Sequence, residues 1–133
     1  VVFLVISGLL ARWLAVENVE RSAVLVVLEA QARGDARAML AHLQGCDRHC
    51  RADVEADARR LARPGQVEIL AYHSGTAYAL SSSTAYTRVA WKSSLRRFPI
   101  VQCVKVARRG NALSGITVEL LTISVPIPDT ADC

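Results

Sequence analysis

The sequence predicts an α+β fold: helices first, then a four-stranded antiparallel sheet that those helices cover, all preceded by a partial transmembrane helix. Three observations predict it. Apolar residues recur at spacings of three and four from Val16 onward, as in helices that bury one face. From Val67 the pattern becomes strand-like, with short turn-forming stretches between the strands. An uncharged apolar run, residues 1–11, precedes both. At 133 residues the chain has room for one domain with a substantial core. No internal repeat, low-complexity stretch or second-domain linker divides it.

Arg12 interrupts the N-terminal apolar run before Trp13, Leu14, Ala15 and Val16. A complete membrane span needs about 20 apolar residues, and the chain opens without Met. The expectation is therefore the outer half of a longer span. A cleaved signal peptide would show a basic leader and a small-x-small cleavage site, and neither is visible. Arg12 and Trp13 suit the membrane interface, where Arg snorkels and indole sits at headgroup depth. Residues 1–16 are thus read as a partial signal-anchor and residues 17–133 as an extracytoplasmic domain of a single-pass membrane protein. A signal-peptide core and a buried helix are the competing readings.

From Val16 the spacing predicts that the membrane helix runs straight into the first domain helix. Val16, Val19, Ala23, Val26, Val27 and Ala30 form its apolar positions; Glu17, Glu20, Arg21 and Gln31 are polar. Gly34 and Asp35 break it, Gly by taking a left-handed conformation and Asp by capping the next helix. That short helix is expected over residues 36–43, with Met39, Leu40 and Leu43 inward and Gly45 at its end. Another is expected over residues 51–62, with Val54, Ala58, Leu61 and Ala62 apolar, terminated by Pro64 and Gly65. Along it Asp53, Glu55 and Asp57 read as solvated.

Residues 67–80 are rich in β-formers, with Ser74 and Gly75 marking a bulge or bend. Ser81, Ser82 and Ser83 make a polar turn. Residues 86–92 alternate Tyr86, Arg88, Ala90 and Lys92 on one side with Thr87, Val89 and Trp91 on the other. A loop through Arg96 and Arg97 reaches Pro99. A third strand then runs to Arg108, Gly110 and Asn111 turn the chain, and residues 116–125 form the fourth strand.

Composition narrows the function classes. The net charge of +4 rests on 14 Arg and 2 Lys, a bias that fits a GC-rich bacterial genome. Nucleic-acid binders concentrate basic charge with aromatics between. Here the basic residues are scattered and only two Phe, two Trp and three Tyr are present, so no nucleic-acid partner is expected. There is no Gly-rich phosphate loop, Gly-x-Ser-x-Gly elbow or paired-carboxylate arrangement, and no cofactor is expected.

The cysteines, Cys46, Cys50, Cys103 and Cys133, form an even set, which suggests disulfides and an oxidising compartment outside the cytoplasm. His42, Cys46, His49 and Cys50 are all zinc-ligand types. Four ligands within nine residues would struggle to surround an ion, because structural zinc sites draw ligands from separated segments. A Cys46–Cys50 bond at a helix junction is the preferred reading, with metal and redox chemistry as rivals. Redox pairs generally use Cys-x-x-Cys at a helix start, and this spacing is one longer. Cys103 and Cys133 are the natural second pair, although four cysteines allow three pairings.

Tyr72, His73, Tyr86 and Trp91 are the candidate pocket residues. His73 is a potential general base with Tyr72 or Tyr86 as donor. Period-two alternation places Tyr72 and His73 on opposite sheet faces, so structural roles are preferred.

The stretch Ala30-Gln31-Ala32-Arg33-Gly34-Asp35-Ala36-Arg37-Ala38-Met39-Leu40, a long helix broken by Gly-Asp before a short Ala/Leu helix, resembles the opening of the nuclear-transport-factor-two-like, cystatin-like superfamily. The order of elements over residues 16–126 is similar to it, and the whole chain resembles small membrane-anchored bacterial members. The resemblance implies a cone-like sheet curled around a cavity. Its enzymes, isomerases and dehydratases, place Asp, His or Tyr there, whereas other members serve in binding or assembly. No position matches a catalytic motif of the family, and the Cys46–Cys50 segment stands where many relatives have a short strand. The expected function is a noncatalytic binding or assembly domain, for a protein partner, a second copy or a small apolar ligand. The alternative is a small cavity enzyme of the isomerase or hydrolase type. A deep cavity with convergent polar groups, one a His or carboxylate, would favour the enzyme.

Overall fold

The structure, a computed structural model, describes residues 1–63, 65–76, 82–95, 98–111 and 115–133, with residues 12, 13 and 111 described by their backbone alone. Three helices come first: α1 (Val2–Ala32), α2 (Ala36–Ala41) and α3 (Arg48–Arg60). Four strands complete the order: β1 (Val67–His73), β2 (Ser83–Ser93), β3 (Ile100–Asn111) and β4 (Gly115–Ile123). They form one antiparallel sheet in the order β1-β2-β3-β4. The α+β architecture expected from the pattern is therefore present, as a meander with helices on one face.

Local signals account for the helix junctions. Gly34 takes φ 73°, which frees the chain from α1, and the Asp35 carboxylate accepts from the Ala38 N–H at 3.0 Å to start α2. The third helix begins three residues earlier than the apolar spacing suggests. Asp47 caps it, accepting from the Cys50 N–H at 2.9 Å, so Cys50 lies in its first turn. Between α2 and α3 the chain lies against the sheet edge: the N–H groups of Gln44 and Gly45 donate to the carbonyls of Leu120 and Leu121 in β4. This covers part of the edge of the last strand.

The orientation of α1 differs from the expected one. Its buried positions in the domain are Glu20, Val24, Val27, Leu28, Ala30, Gln31 and Ala32; Val27 and Ala30 were expected there, whereas Val19 and Val26 are 55% and 42% exposed. The helix is rotated so that two polar side chains enter the interior. Each finds hydrogen-bond partners there, which removes the cost of burying it. Asp57 of α3, expected in solvent, is also buried, at 1% exposed, but without comparable donors.

In the sheet, the inward positions of β2 and β3 are Thr87, Val89, Trp91, Ile100, Gln102, Val104, Val106 and Arg108, set by the register Thr87↔Val104 and Val89↔Gln102. Together with Val24, Leu28, Met39, Val54 and Leu61 they fill the space between helices and sheet. The first strand ends at His73. Its register shift lies between Ile69 and Ala71, while Ser74 and Gly75 turn the chain out of the sheet; residues 77–80 of the predicted strand lie outside the described residues.

The outer sheet face is crossed by the C-terminal tail. Ile127 bridges Val101, Arg88 donates to the carbonyls of Asp129 and Ala131, and Cys133 is bonded to Cys103. Where the tail crosses, the outer-face residues Ala90, Val101 and Cys103 are buried rather than solvated.

Candidate functional site

Polar side chains converge inside the domain at two places. The first surrounds Glu20, in the middle of α1. Its carboxylate accepts from the Tyr72 hydroxyl at 2.7 Å, Thr87 Oγ1 at 2.9 Å, Ser74 Oγ at 3.0 Å and Thr76 Oγ1 at 3.1 Å. Arg108 completes the set, with Nη2 2.6 Å and Nε 3.2 Å from Oε2. Both charged side chains are fully buried. Every element contributes for a local reason. Tyr72, Thr87 and Arg108 occupy inward positions on three neighbouring strands, and the bend after β1 delivers Ser74 and Thr76. Gly75 permits that bend, since a Cβ there would collide with the Tyr86 carbonyl oxygen.

Burial alone would push the Glu20 carboxyl up, but the hydrogen bonds from Arg108, Tyr72, Thr87 and Ser74 outweigh it and hold it below the usual range. The Tyr72 phenol is pushed up, by burial and by the Glu20 charge it faces. The cluster is therefore an ionised carboxylate with its acceptor capacity taken up. Arg108 Nη1 is buried without a hydrogen-bond partner among the described residues.

The second convergence joins α1, α3 and the sheet. Gln31 and Gln102 exchange two amide hydrogen bonds of 2.9 Å. Trp91 Nε1 donates to Gln102 Oε1 at 2.8 Å, and Gln102 Nε2 also reaches the Ser124 carbonyl at 2.9 Å and Asp57 Oδ2 at 3.3 Å. An amide nitrogen has two hydrogens, so with both shorter contacts made Asp57 is left without a donor of its own. Burial first, then the nearby Asp53 charge, push the Asp57 carboxyl up to about 7 against a small opposing effect from Arg60.

The residues singled out from the sequence fall in different places. Tyr72 joins the Glu20 cluster and Trp91 the glutamine cluster, both on the inner face. His73 and Tyr86 lie on the outer face and are exposed. The four do not share a pocket. Cys46 is bonded to Cys50 and Cys103 to Cys133, with Cα separations of 5.0 and 5.7 Å. The sulfurs that a metal at His42, Cys46, His49 and Cys50 would need are engaged with each other. Among the described residues no three His, Cys, Asp or Glu side chains cluster as metal ligands.

Glu20, Arg108, Asp57, Gln31 and Gln102 were not readable as a site, because each looks like an ordinary polar position in its own element. Comparison with family models, with curated proteins and with solved structures gave no match.

Proposed function

We propose that this protein is a membrane-tethered extracytoplasmic domain with a noncatalytic binding or assembly role. One observation carries the reading: α1 is a single helix whose second half is core and whose first half stands clear of the domain. Val2, Phe3, Leu4, Val5 and Ile6 are 52–79% exposed, and no part of its 18-residue apolar window, mean hydropathy 1.6, is buried. An exposed apolar helix face of this extent needs a non-aqueous neighbour, and residues 1–16 suit a bilayer. Two disulfides support an oxidising compartment on the far side of that bilayer. The order of long helix, Gly-Asp break, short helices and meander supports, within the same proposal, membership of the nuclear-transport-factor-two-like superfamily.

The noncatalytic part is supported by the filled interior. The Glu20 carboxylate has the environment of a structural ion rather than of a base. It is held ionised, is bonded from six atoms and is sealed from solvent.

The tether is tested with the full chain expressed in a bacterial host. It should remain with membranes through alkaline carbonate extraction, and a protease added outside spheroplasts should digest the domain. The double substitution Leu4→Lys/Ile6→Lys should shift the chain to the soluble fraction. Release of the unsubstituted chain by carbonate, or protection of its domain from external protease, would sink the reading.

A further inference from the structure

The side-chain amide of Gln102 is asked for more hydrogens than it has. Its Nε2 carries two, and three acceptors lie within reach: Gln31 Oε1 at 2.9 Å, the Ser124 carbonyl at 2.9 Å and Asp57 Oδ2 at 3.3 Å. The amide cannot simply be reversed, because its Oε1 accepts from Trp91 Nε1 at 2.8 Å and from Gln31 Nε2 at 2.9 Å. Both bonds to Gln31 close a reciprocal pair. The hydrogen left to be shared therefore goes to Ser124 or to Asp57, and one of them is left without it.

Ser124 is the root of the tail. It follows directly on β4, donates its N–H to the Cys103 carbonyl at 2.9 Å, and accepts the Cys103 N–H on Oγ at 2.9 Å. From there the tail crosses the outer face, where the Ile127 N–H donates to the Val101 carbonyl at 2.8 Å. The two competitors are unequal. Ser124 is half-buried, so a released carbonyl can turn to water, whereas Asp57 is sealed inside. A neutral carboxyl is a weak acceptor, but an ionised one accepts strongly and is costly to leave unbonded in the interior. The charges acting on Asp57 are those of Asp53 and, more weakly, Arg60, both on its own helix. α1, α2 and β4 pack against that helix, and their charged groups stay out of the network. Glu29, Arg33, Arg37 and His42 are exposed, Glu119 pairs with Arg109 at the surface, and Glu20 pairs with Arg108. From β2 and β3 the network receives only the neutral Trp91 and Gln102.

We propose that Asp57 and Gln102 form a proton-operated latch on the C-terminal tail. With Asp57 neutral, Gln102 holds the Ser124 carbonyl and the tail is seated. When Asp57 gives its proton to solvent, the shared hydrogen turns from Ser124 to Oδ2, and the Ser124 carbonyl is released to water. The tail then loosens at its root, while the disulfide keeps Cys133 on Cys103. Burial and the Asp53 charge place this change at about pH 7. The tail is thus tighter below neutral pH and looser above it.

The test uses magnetic resonance on the full chain in detergent micelles, labelled with carbonyl-13C serine and 15N valine. Ser124 and Val125 form the one Ser-Val pair in the sequence, so the coupled signal reports that carbonyl alone. It should titrate with a midpoint near pH 7, in the direction of a lost hydrogen bond. Over the same range the exchange protection of the Ile127 N–H, corrected for the intrinsic rate, should fall about fivefold, the scale of one hydrogen bond. Asp57→Asn should flatten both responses. Asp53→Asn, which removes the repulsion and leaves every bond of the network in place, should move both midpoints to lower pH, and it carries the test alone if Asp57→Asn fails to fold. A carbonyl signal that does not titrate, that titrates unchanged in Asp57→Asn, or that keeps its midpoint in Asp53→Asn would overturn the proposal. So would a titrating carbonyl with constant protection at Ile127, since the tail would then be held by its other contacts.

Discussion

Glu20 and Arg108 carry full charges at positions with no access to water. Removing such charges from solvent costs several kcal/mol each, and close pairing with additional hydrogen bonds is what offsets it. Removing one partner leaves the other uncompensated. Arg108→Met or Glu20→Gln should each cost about 3–5 kcal/mol in urea denaturation, and the double variant should cost well below their sum; additive losses would show the pair to be uncoupled. Asp57 has the opposite balance, being buried with no cation bonded to it. Its carboxyl titrates at about 7 in the folded chain against an ordinary 3.8. The unfolded chain therefore binds fewer protons between those values, so this group's contribution falls as pH rises from about 4 to about 7, by up to about 1.4 kcal/mol per unit, and is flat above. Asp57→Asn should abolish that slope and stabilise the protein at pH 8. An unchanged slope in the variant would mean that another group is responsible. None of these roles was legible residue by residue. Hydropathy spacing assigns a charged side chain to solvent unless its partner is known, and each partner lies 45 to 88 positions away in sequence.

Among the elements, the helices and strands were largely legible because their signals are local: Gly34 and Asp35, and the alternation through Trp91; the Asp47 cap, which starts α3 before the expected residue 51, was missed. The face that α1 turns inward and the end of β1 were not legible. Both meet at Glu20, which accepts from Ser74 and Thr76 just beyond the end of β1 and from Arg108 in β3. The tail is the other element whose position depends on distant contacts. Its disulfide closes a separation of 30 residues, against 4 for Cys46–Cys50. Chain entropy assigns about 3–4 kcal/mol to the longer loop and about 2 kcal/mol to the shorter. Cys103→Ser/Cys133→Ser should therefore lower stability more than Cys46→Ser/Cys50→Ser, and amide exchange should rise first in residues 124–133. Four reactive thiols in protein recovered from an oxidising compartment would contradict both bonds.

At the level of the whole molecule, one uninterrupted helix joins the exposed apolar segment to the core. The Glu20 cluster fixes how that helix is rotated and seated, so the orientation of the sheet is set by the helix axis. Spin labels placed one at a time at Val5, Leu9 and Val26 in a reconstituted bilayer should report a change of surroundings along the helix. The first two should be accessible to oxygen, and the third to a water-soluble nickel complex. Nickel access at Val5 would argue that residues 1–16 pack on protein or lie in water. The sequence by itself determined the class of the fold, the order of its elements and the presence of an apolar N-terminal stretch, since periodicity, caps and hydropathy are properties of neighbouring residues. Only the tertiary structure decided which polar groups are buried and where the tail lies. It also decided that Tyr72, His73, Tyr86 and Trp91 part company. Those outcomes depend on hydrogen bonds and burial between strands and helices far apart in the chain, where a carboxylate is stable inside only because its donors arrive with it.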